Sequence, residues 1–355
     1  MPKWFSFAAV RNWLYRQSFS KAGLKSTTTD LGEGTLMHCW VPKVHSDSKP
    51  NLLLIHGVGA NAMWQWSSFI SPLLTHFNLY VPDLVFFGDS YTKRPDRSEA
   101  FQARCVMAMM EAQGVVKTMN IAGISYGGFV AYSMATQFRE RVDRLVLCCA
   151  GVCMEDKDMD DGLFKVKSVD EAISILLPST PEKMKELMRL TFVKPSFQRV
   201  PSCILNDFIH VSPRLWPLHS HAFFWVLVEH AIAAFTKGFA SHFDHHVKMM
   251  SAESYQEKKE LILALHKDRK FCDLPRITQP TLIIWGEQDQ VFPLELAHRL
   301  KRHVGENAQL EIIKNAGHAI NIEKPKEVCK FMKSFLVDPF PSPKEVNQRN
   351  GHKVD

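Results

Sequence analysis

Four short, largely apolar runs constrain this chain most: residues 51–55, 79–82, 120–124 and 144–150, three of which open on a polar residue, Asn51, Asn120 and Arg144. A strand that is apolar at every position is buried on both faces, which requires helices on both sides of the sheet it joins. Helix-compatible stretches do separate the runs, over residues 64–77, 98–113 and 126–138. Strand, helix and strand in this alternation predict an α/β chain with a mostly parallel, doubly wound sheet. Upstream, residues 27–31 and 35–41 flank Gly32-Glu33-Gly34, which predicts a hairpin.

The alternation stops after Gly151 and resumes with a strand at 281–285, a helix at 294–303, a strand at 310–313 and a helix at 325–336. The stretch between is too long for a structureless loop. Phe224, Val228, Ile232, Phe235 and Phe239 recur in it at helical spacing. It therefore reads as a helical cap inserted at 151–277 into a core made of 26–150 and 278–337. Residues 338–355 carry three prolines among mostly polar residues and read as a disordered tail.

Composition removes several classes of function. With 46% apolar and 23% charged residues the chain is an ordinary globular one, neither fibrous nor disordered. A net charge of +6 spread over 355 residues is too dilute for a nucleic-acid surface. The eight cysteines form no CxxC pair. They read as buried thiols in a reducing compartment, with Cys148, Cys149 and Cys153 weighed as a redox or metal cluster against plain burial. Residues 1–25 form a basic amphipathic segment. Lys3, Arg11, Arg16, Lys21 and Lys25 interleave with Trp4, Phe5, Phe7, Val10, Trp13, Leu14 and Tyr15. Packing on the domain, peripheral contact of residues 1–22 with an anionic membrane, and organelle targeting all suit this pattern. No apolar stretch is long enough to span a membrane. The expected location is cytoplasmic, with peripheral membrane contact left open; oligomeric state is not legible.

Chemistry enters at Gly123-Ile124-Ser125-Tyr126-Gly127, a G-x-S-x-G that follows an apolar strand and opens a helix. Such a sharp turn lifts a serine hydroxyl clear of the sheet and sets backbone N–H groups of the helix N-terminus beside it. A serine nucleophile needs a base, and the base an orienting acid. Asp289 follows the strand at 281–285 and His318 the strand at 310–313. Glu287 is the rival acid; His298 and His303, on a predicted helix, are rival bases. His56-Gly57-Val58-Gly59 ends the third strand, which nominates the Val58 and Tyr126 N–H groups as oxyanion donors. His56 reads as a buried histidine shaping that loop.

Together His56-Gly57, the Gly123–Gly128 turn, Asp289 and Gly317-His318 resemble the α/β-hydrolase superfamily. Val81-Pro82-Asp83-Leu84 and the run from Gly317-His318 to Glu323-Lys324-Pro325 resemble its branch of lipases, esterases, epoxide hydrolases and carbon–carbon bond hydrolases. The chain is similar to plant members of that branch. The resemblance implies an α/β-hydrolase fold with a cap and a Ser125, Asp289, His318 triad. Departures narrow the chemistry. Epoxide hydrolases use a carboxylate nucleophile and two cap tyrosines, whereas here position 125 is serine and residues 151–277 hold one tyrosine, Tyr255. Carbon–carbon bond hydrolases usually carry an aromatic after the histidine, where this chain has Ala319. In the family's Asp-x-x-Gly-x-Gly-x-Ser pattern, Asp83, Gly88 and Ser90 match, but Phe86 replaces the first glycine.

The reading is a serine hydrolase cleaving an ester with an apolar acyl part, needing no cofactor and no metal. A small-molecule receptor and an acyltransferase are the alternatives, with a carbon–carbon bond hydrolase behind them. His56, Phe86, Phe87, Phe224 and Trp225 are the substrate-pocket candidates. The aromatics of residues 216–243 favour a lipid-like or aromatic ester as the small-molecule partner. His242 and His246, one helical turn apart, could share a metal, but no nearby carboxylate or cysteine cluster completes a site.

Overall fold

A computed structural model describes residues 6–193, 200–209 and 254–338. Phe224, Trp225, Phe235, Phe239, His242, His246 and the tail beyond Asp338 lie outside the described residues.

The fold is the expected one. Strands β1 (Leu24–Asp30) and β2 (Thr35–Pro42) form the antiparallel hairpin, paired from Asp30 opposite Leu36 to Leu24 opposite Pro42. Then come β3 (Asn51–Ile55), β4 (Asn78–Pro82), the short β5 (Tyr91–Thr92), β6 (Met119–Ile124), β7 (Val142–Cys148), β8 (Thr281–Gly286) and β9 (Ala308–Ile313). Their order across the sheet is β1-β2-β4-β3-β6-β7-β8-β9, with β5 on β2, and every pairing from β4 to β9 is parallel. Every residue of β3, β4, β6 and β8 is buried. That burial is why these strands read as largely apolar runs.

Helices α2 (Ala62–Leu74), α3 (Glu99–Ala112) and α4 (Tyr126–Gln137) fill the crossovers. The first two begin one residue after side chains that accept a hydrogen bond from a first-turn N–H: Asn61 Oδ1 from Trp64, and Ser98 Oγ from Phe101. The cap at Asn61 starts α2 earlier than the predicted 64. Strand β7 is shifted toward the N-terminus from its predicted 144–150, because Cys149 turns the chain with φ +46°. The described chain between β7 and β8 is helical: α5 (Lys157–Asp160), α6 (Val169–Leu176), α7 (Pro181–Thr191), α8 (Ser202–Ile209) and α9 (Tyr255–His266). The fold closes with α10 (Leu294–Val304), α11 (Ile320–Glu323) and α12 (Pro325–Val337).

The amino-terminal segment is a packed helix, α1 (Phe7–Lys21), over its described part. It buries Ala8, Asn12 and Phe19. Phe19 meets Trp40 edge-on and Tyr15 meets Trp64 edge-on. Asn12 Oδ1 accepts from the Trp64 indole N–H at 3.2 Å, and Arg16 pairs with Asp89 at 2.9 Å. Phe7, Val10 and Leu14 stay exposed. Among the described residues no helix is long and apolar enough to cross a membrane.

The sheet order reverses between β3 and β6: the chain leaves β3 toward β4 on one side and leaves β6 toward β7 on the other. Loops diverging there open a crevice at the carboxyl ends of the strands. Buried polar side chains hold its rim. Asp83, after β4, accepts from Ala62 N–H at 2.9 Å and bonds His38 Nδ1 at 2.8 Å. Burial works to raise the Asp83 pKa, but the His38 bond and charge, with His56 and the Ala62 N–H, together outweigh it and the net shift is down. His56, fully buried, accepts from Leu84 N–H at 2.9 Å through Nε2, which leaves its proton on Nδ1 facing Gly57 O at 2.7 Å. Burial holds the His56 pKa below its ordinary 6.5.

A lowered histidine pKa in the folded state means that only the unfolded chain takes up this proton just below pH 6.5. His56 should therefore cost stability as the pH falls through that point. Denaturation followed across this range should show the His56→Gln variant losing stability less steeply than wild type. The difference should be up to about 1.4 kcal/mol per pH unit, the slope of one proton. Parallel slopes would show that His56 is not the group responsible.

Candidate active site

Ser125 stands between the end of β6 and the start of α4 with φ +53° and ψ −123°, a conformation that L residues rarely adopt. Its surroundings impose it. A Cβ on Gly123 would lie 2.3 Å from Gly127 O, and one on Gly127 would lie 2.4 Å from both Ile55 O and His56 O. Only glycine permits the turn to press this closely against β3. Ser125 N–H donates to Cys148 O at 2.8 Å, and Gly128 N–H donates back to Ser125 O at 2.9 Å.

The structure brings Ser125, His318 and Asp289 together from the ends of three strands. His318 Nε2 lies 2.9 Å from Ser125 Oγ, and His318 Nδ1 lies 2.8 Å from Asp289 Oδ2. Asp289 Oδ1 accepts from Val291 N–H and Phe292 N–H, each at 2.9 Å. With one oxygen held by the backbone, the other can only face the imidazole. The Phe292 ring packs edge-on against His318 at 5.5 Å, and the Trp285 indole N–H fixes Phe292 through its carbonyl at 2.9 Å. The rival acid Glu287 is exposed and accepts from Asn315 N–H at 3.1 Å, so it ties two loops together away from the serine. The rival bases His298 and His303 lie on α10, and His303 packs on Phe271.

The loop bearing His318 is clamped on its far side. Glu323 accepts from Gly317 N–H at 2.7 Å and from Val193 N–H at 2.9 Å. Ala319 N–H donates to Thr191 O, at the end of α7, at 2.9 Å, and a Cβ on Gly317 would lie 2.6 Å from that same oxygen.

Across from Ser125 runs the loop after β3. A Cβ on Gly57 would lie 2.9 Å from the Ser125 Cβ, so backbone alone fits here. Gln65 brackets the Gly57 residue: its Oε1 accepts from Gly57 N–H at 2.8 Å and its Nε2 donates to Gly57 O at 3.2 Å. Tyr126 N–H belongs to the first residue of α4, where the helix itself supplies no acceptor. Val58, Ser125 and Tyr126 share one cavity, walled by hydrocarbon side chains that include Met154, Phe164, Val169 and Ile262.

His56, Phe86 and Phe87 do not line that cavity. All three are buried beside it: the Phe87 ring meets His56 edge-on at 5.1 Å, with Lys258 over the ring at 5.1 Å. Phe86 holds φ +74°, in the left-handed region that the family's glycine would occupy without strain, and its ring lies under the Arg97 guanidinium at 4.6 Å. Sequence reasoning also missed residues that the structure brings in. Gln65 is one. Cys149 is another, with its sulfur, an Asp289 oxygen and a His318 nitrogen all within 4.8 Å of one another. Burial first, and Asp289 second, push the Cys149 thiol well above its usual range. Two members of this cluster are already engaged with one another, His318 Nδ1 and Asp289 Oδ2 at 2.8 Å. All eight cysteines are free thiols.

Comparison with known proteins agrees with this architecture. A family model described as the alpha/beta hydrolase fold matches residues 50–325. Monoacylglycerol lipase ABHD6 of Mus musculus is 26% identical over 305 residues, covering 84% of this chain and 79% of that protein. A putative lipase from Acinetobacter baumannii superposes with a TM-score of 0.67 at 23% identity, covering 92% of this chain and 95% of that one. A 2-hydroxy-6-oxo-6-phenylhexa-2,4-dienoate hydrolase from Rhodococcus sp. strain RHA1 superposes with a TM-score of 0.62 at 17% identity, covering 88% and 99%. From its serine turn to the order of its sheet, the chain belongs to the α/β-hydrolase fold family.

Proposed function

We propose that the protein is a serine hydrolase that cleaves an ester with an apolar acyl part. The observation that carries this is the unbroken chain of contacts from Ser125 through His318 to Asp289, opening into a hydrocarbon-walled cavity. Ser125 Oγ attacks the ester carbonyl while His318 Nε2 takes its proton. Asp289 keeps the other imidazole proton on Nδ1 and stabilises the imidazolium. The carbonyl oxygen becomes an oxyanion, which the Val58 and Tyr126 N–H groups receive. Collapse of this intermediate expels the alcohol, which takes the proton from His318. Water, activated by the same histidine, then releases the acid. The lipases among the related proteins support a hydrocarbon acyl chain, and a fatty monoester of glycerol is the first substrate to test.

Fluorophosphonate labelling tests the proposal without knowledge of the substrate. Wild type should label and Ser125→Ala should not. On p-nitrophenyl esters, Ser125→Ala, His318→Ala and Asp289→Asn should each lose on the order of 10⁴-fold in kcat while keeping the wild-type circular dichroism spectrum. An Asp289→Asn enzyme with near wild-type kcat would transfer the acid role to Glu287, and a wild type that resists the probe would remove the serine mechanism.

Gln65 yields a separate expectation. It holds the peptide next to Val58 and is absent from the cavity wall. Gln65→Leu should lower kcat by roughly 10- to 100-fold, with KM changed far less, because the oxyanion donor is displaced only where charge develops. A KM effect with kcat intact would instead make Gln65 part of ground-state binding.

A further inference from the structure

Packing uses only one face of α1. Ala8, Asn12 and Phe19 are buried against the domain, whereas Phe7, Val10, Arg11, Leu14, Ser18 and Lys21 are exposed. At 3.6 residues per turn these exposed positions fall along a single stripe of the helix. Hydrocarbon dominates its first half, with Phe7 46%, Val10 37% and Leu14 46% exposed. Its charge has one sign. Helix α1 contains no acidic residue, and none occurs in the sequence before Asp30. Arg11 and Lys21 stand on the stripe, and Lys43 joins its far end by donating to Ser20 O at 2.6 Å. Asp89 and Asp207, which reach α1 from other elements, are engaged by Arg16 and by Ala8 N–H, each at 2.9 Å.

We infer that the outer face of α1 docks on a membrane that carries anionic lipids. An apolar row flanked by cations fits such a surface, because the hydrocarbon enters the acyl boundary while the cations stay among the acidic headgroups. Pairing with a second copy through the same face would instead set Arg11 and Lys21 against their own kind. The docking stands independently of the hydrolase reading; that the enzyme draws its ester from the same membrane rests on that reading. Helix α1 is joined to the wall of the cavity. Besides the bond from Ala8 to Asp207 of α8, Trp64, on which Tyr15 packs, meets Phe208 of α8 edge-on at 4.8 Å. Leu205 and Ile209 of α8 pack with Met184 and Leu187 of α7, and α7 gives Leu190 to the cavity wall. A chain of helix contacts thus runs from the docking face to the site, and the surface that holds the enzyme is also the one that holds a water-insoluble ester.

The test sediments the full chain with phosphatidylcholine vesicles made with and without phosphatidylserine. Wild type should bind the acidic vesicles on the order of 10-fold more tightly than the neutral ones, and high salt should remove that difference. Arg11→Gln/Lys21→Gln should lose most of the preference. Val10→Gln/Leu14→Gln should weaken binding to both kinds of vesicle by on the order of 10-fold. These side chains face water, so both double variants should keep the wild-type circular dichroism spectrum and its turnover of a soluble short-chain ester. Turnover of a fatty monoester dispersed in acidic vesicles should fall in step with binding. Wild type that stays in the supernatant with acidic vesicles, or binds both kinds equally, would overturn the docking, as would undiminished binding by both double variants. A dimer in vesicle-free solution that Val10→Gln/Leu14→Gln dissolves would assign the face to a second copy instead. Vesicle binding with unchanged turnover of the dispersed ester would overturn the supply of substrate from the membrane alone. Vesicle binding by a wild type that resists fluorophosphonate would overturn the hydrolase reading and leave the docking standing.

Discussion

Everything at the carboxyl edge of this sheet depends on how closely the Ser125 turn presses against β3. Gly57, Gly123 and Gly127 have no room for a Cβ, and the atoms that a Cβ would strike are backbone or the serine itself. Because backbone cannot move aside as a flexible side chain can, the serine is set by the sheet rather than by its own preference. The left-handed φ of Ser125 is the local cost, of order 1–3 kcal/mol for such a conformation, and the burial of β3 and β6 on both faces sustains it.

Packing beyond the sheet serves the same edge. Helix α1 gives up part of its apolar surface to the core through Phe19 and Tyr15, and its Arg16 to the Asp89 that follows the β4 loop. The apolar side chains of this helix are thus divided between packing, which Phe19 and Tyr15 do, and the exposed row of Phe7, Val10 and Leu14.

The strands were legible because burial on both faces leaves a continuous apolar run, and Ser125, Asp289 and His318 because each directly follows one. What could not be read is what depends on distant partners. Gln65 looks like any polar residue of a helix, and its part emerges only when α2 is laid beside the β3 loop. Cys149 was legible as a buried thiol but not as a neighbour of Asp289, which lies across β8. Phe86 and Phe87 misled for a related reason. An aromatic pair after β4 suggests a pocket wall, yet the left-handed turn at Phe86 sends the pair into the core, under Arg97 and against His56.

The contacts of Thr191 have a mechanical consequence. The carbonyl that ends α7 holds Ala319 N–H and sits against Gly317, so the helical insert grips the chain on both sides of His318. Glu323 doubles the grip by holding Val193 and Gly317 at once. The roof over the cavity and the proton carrier beneath it are therefore one lever. If the end of α7 swings outward, the imidazole is pulled from the serine, and the nucleophile is disarmed for as long as the roof stands open.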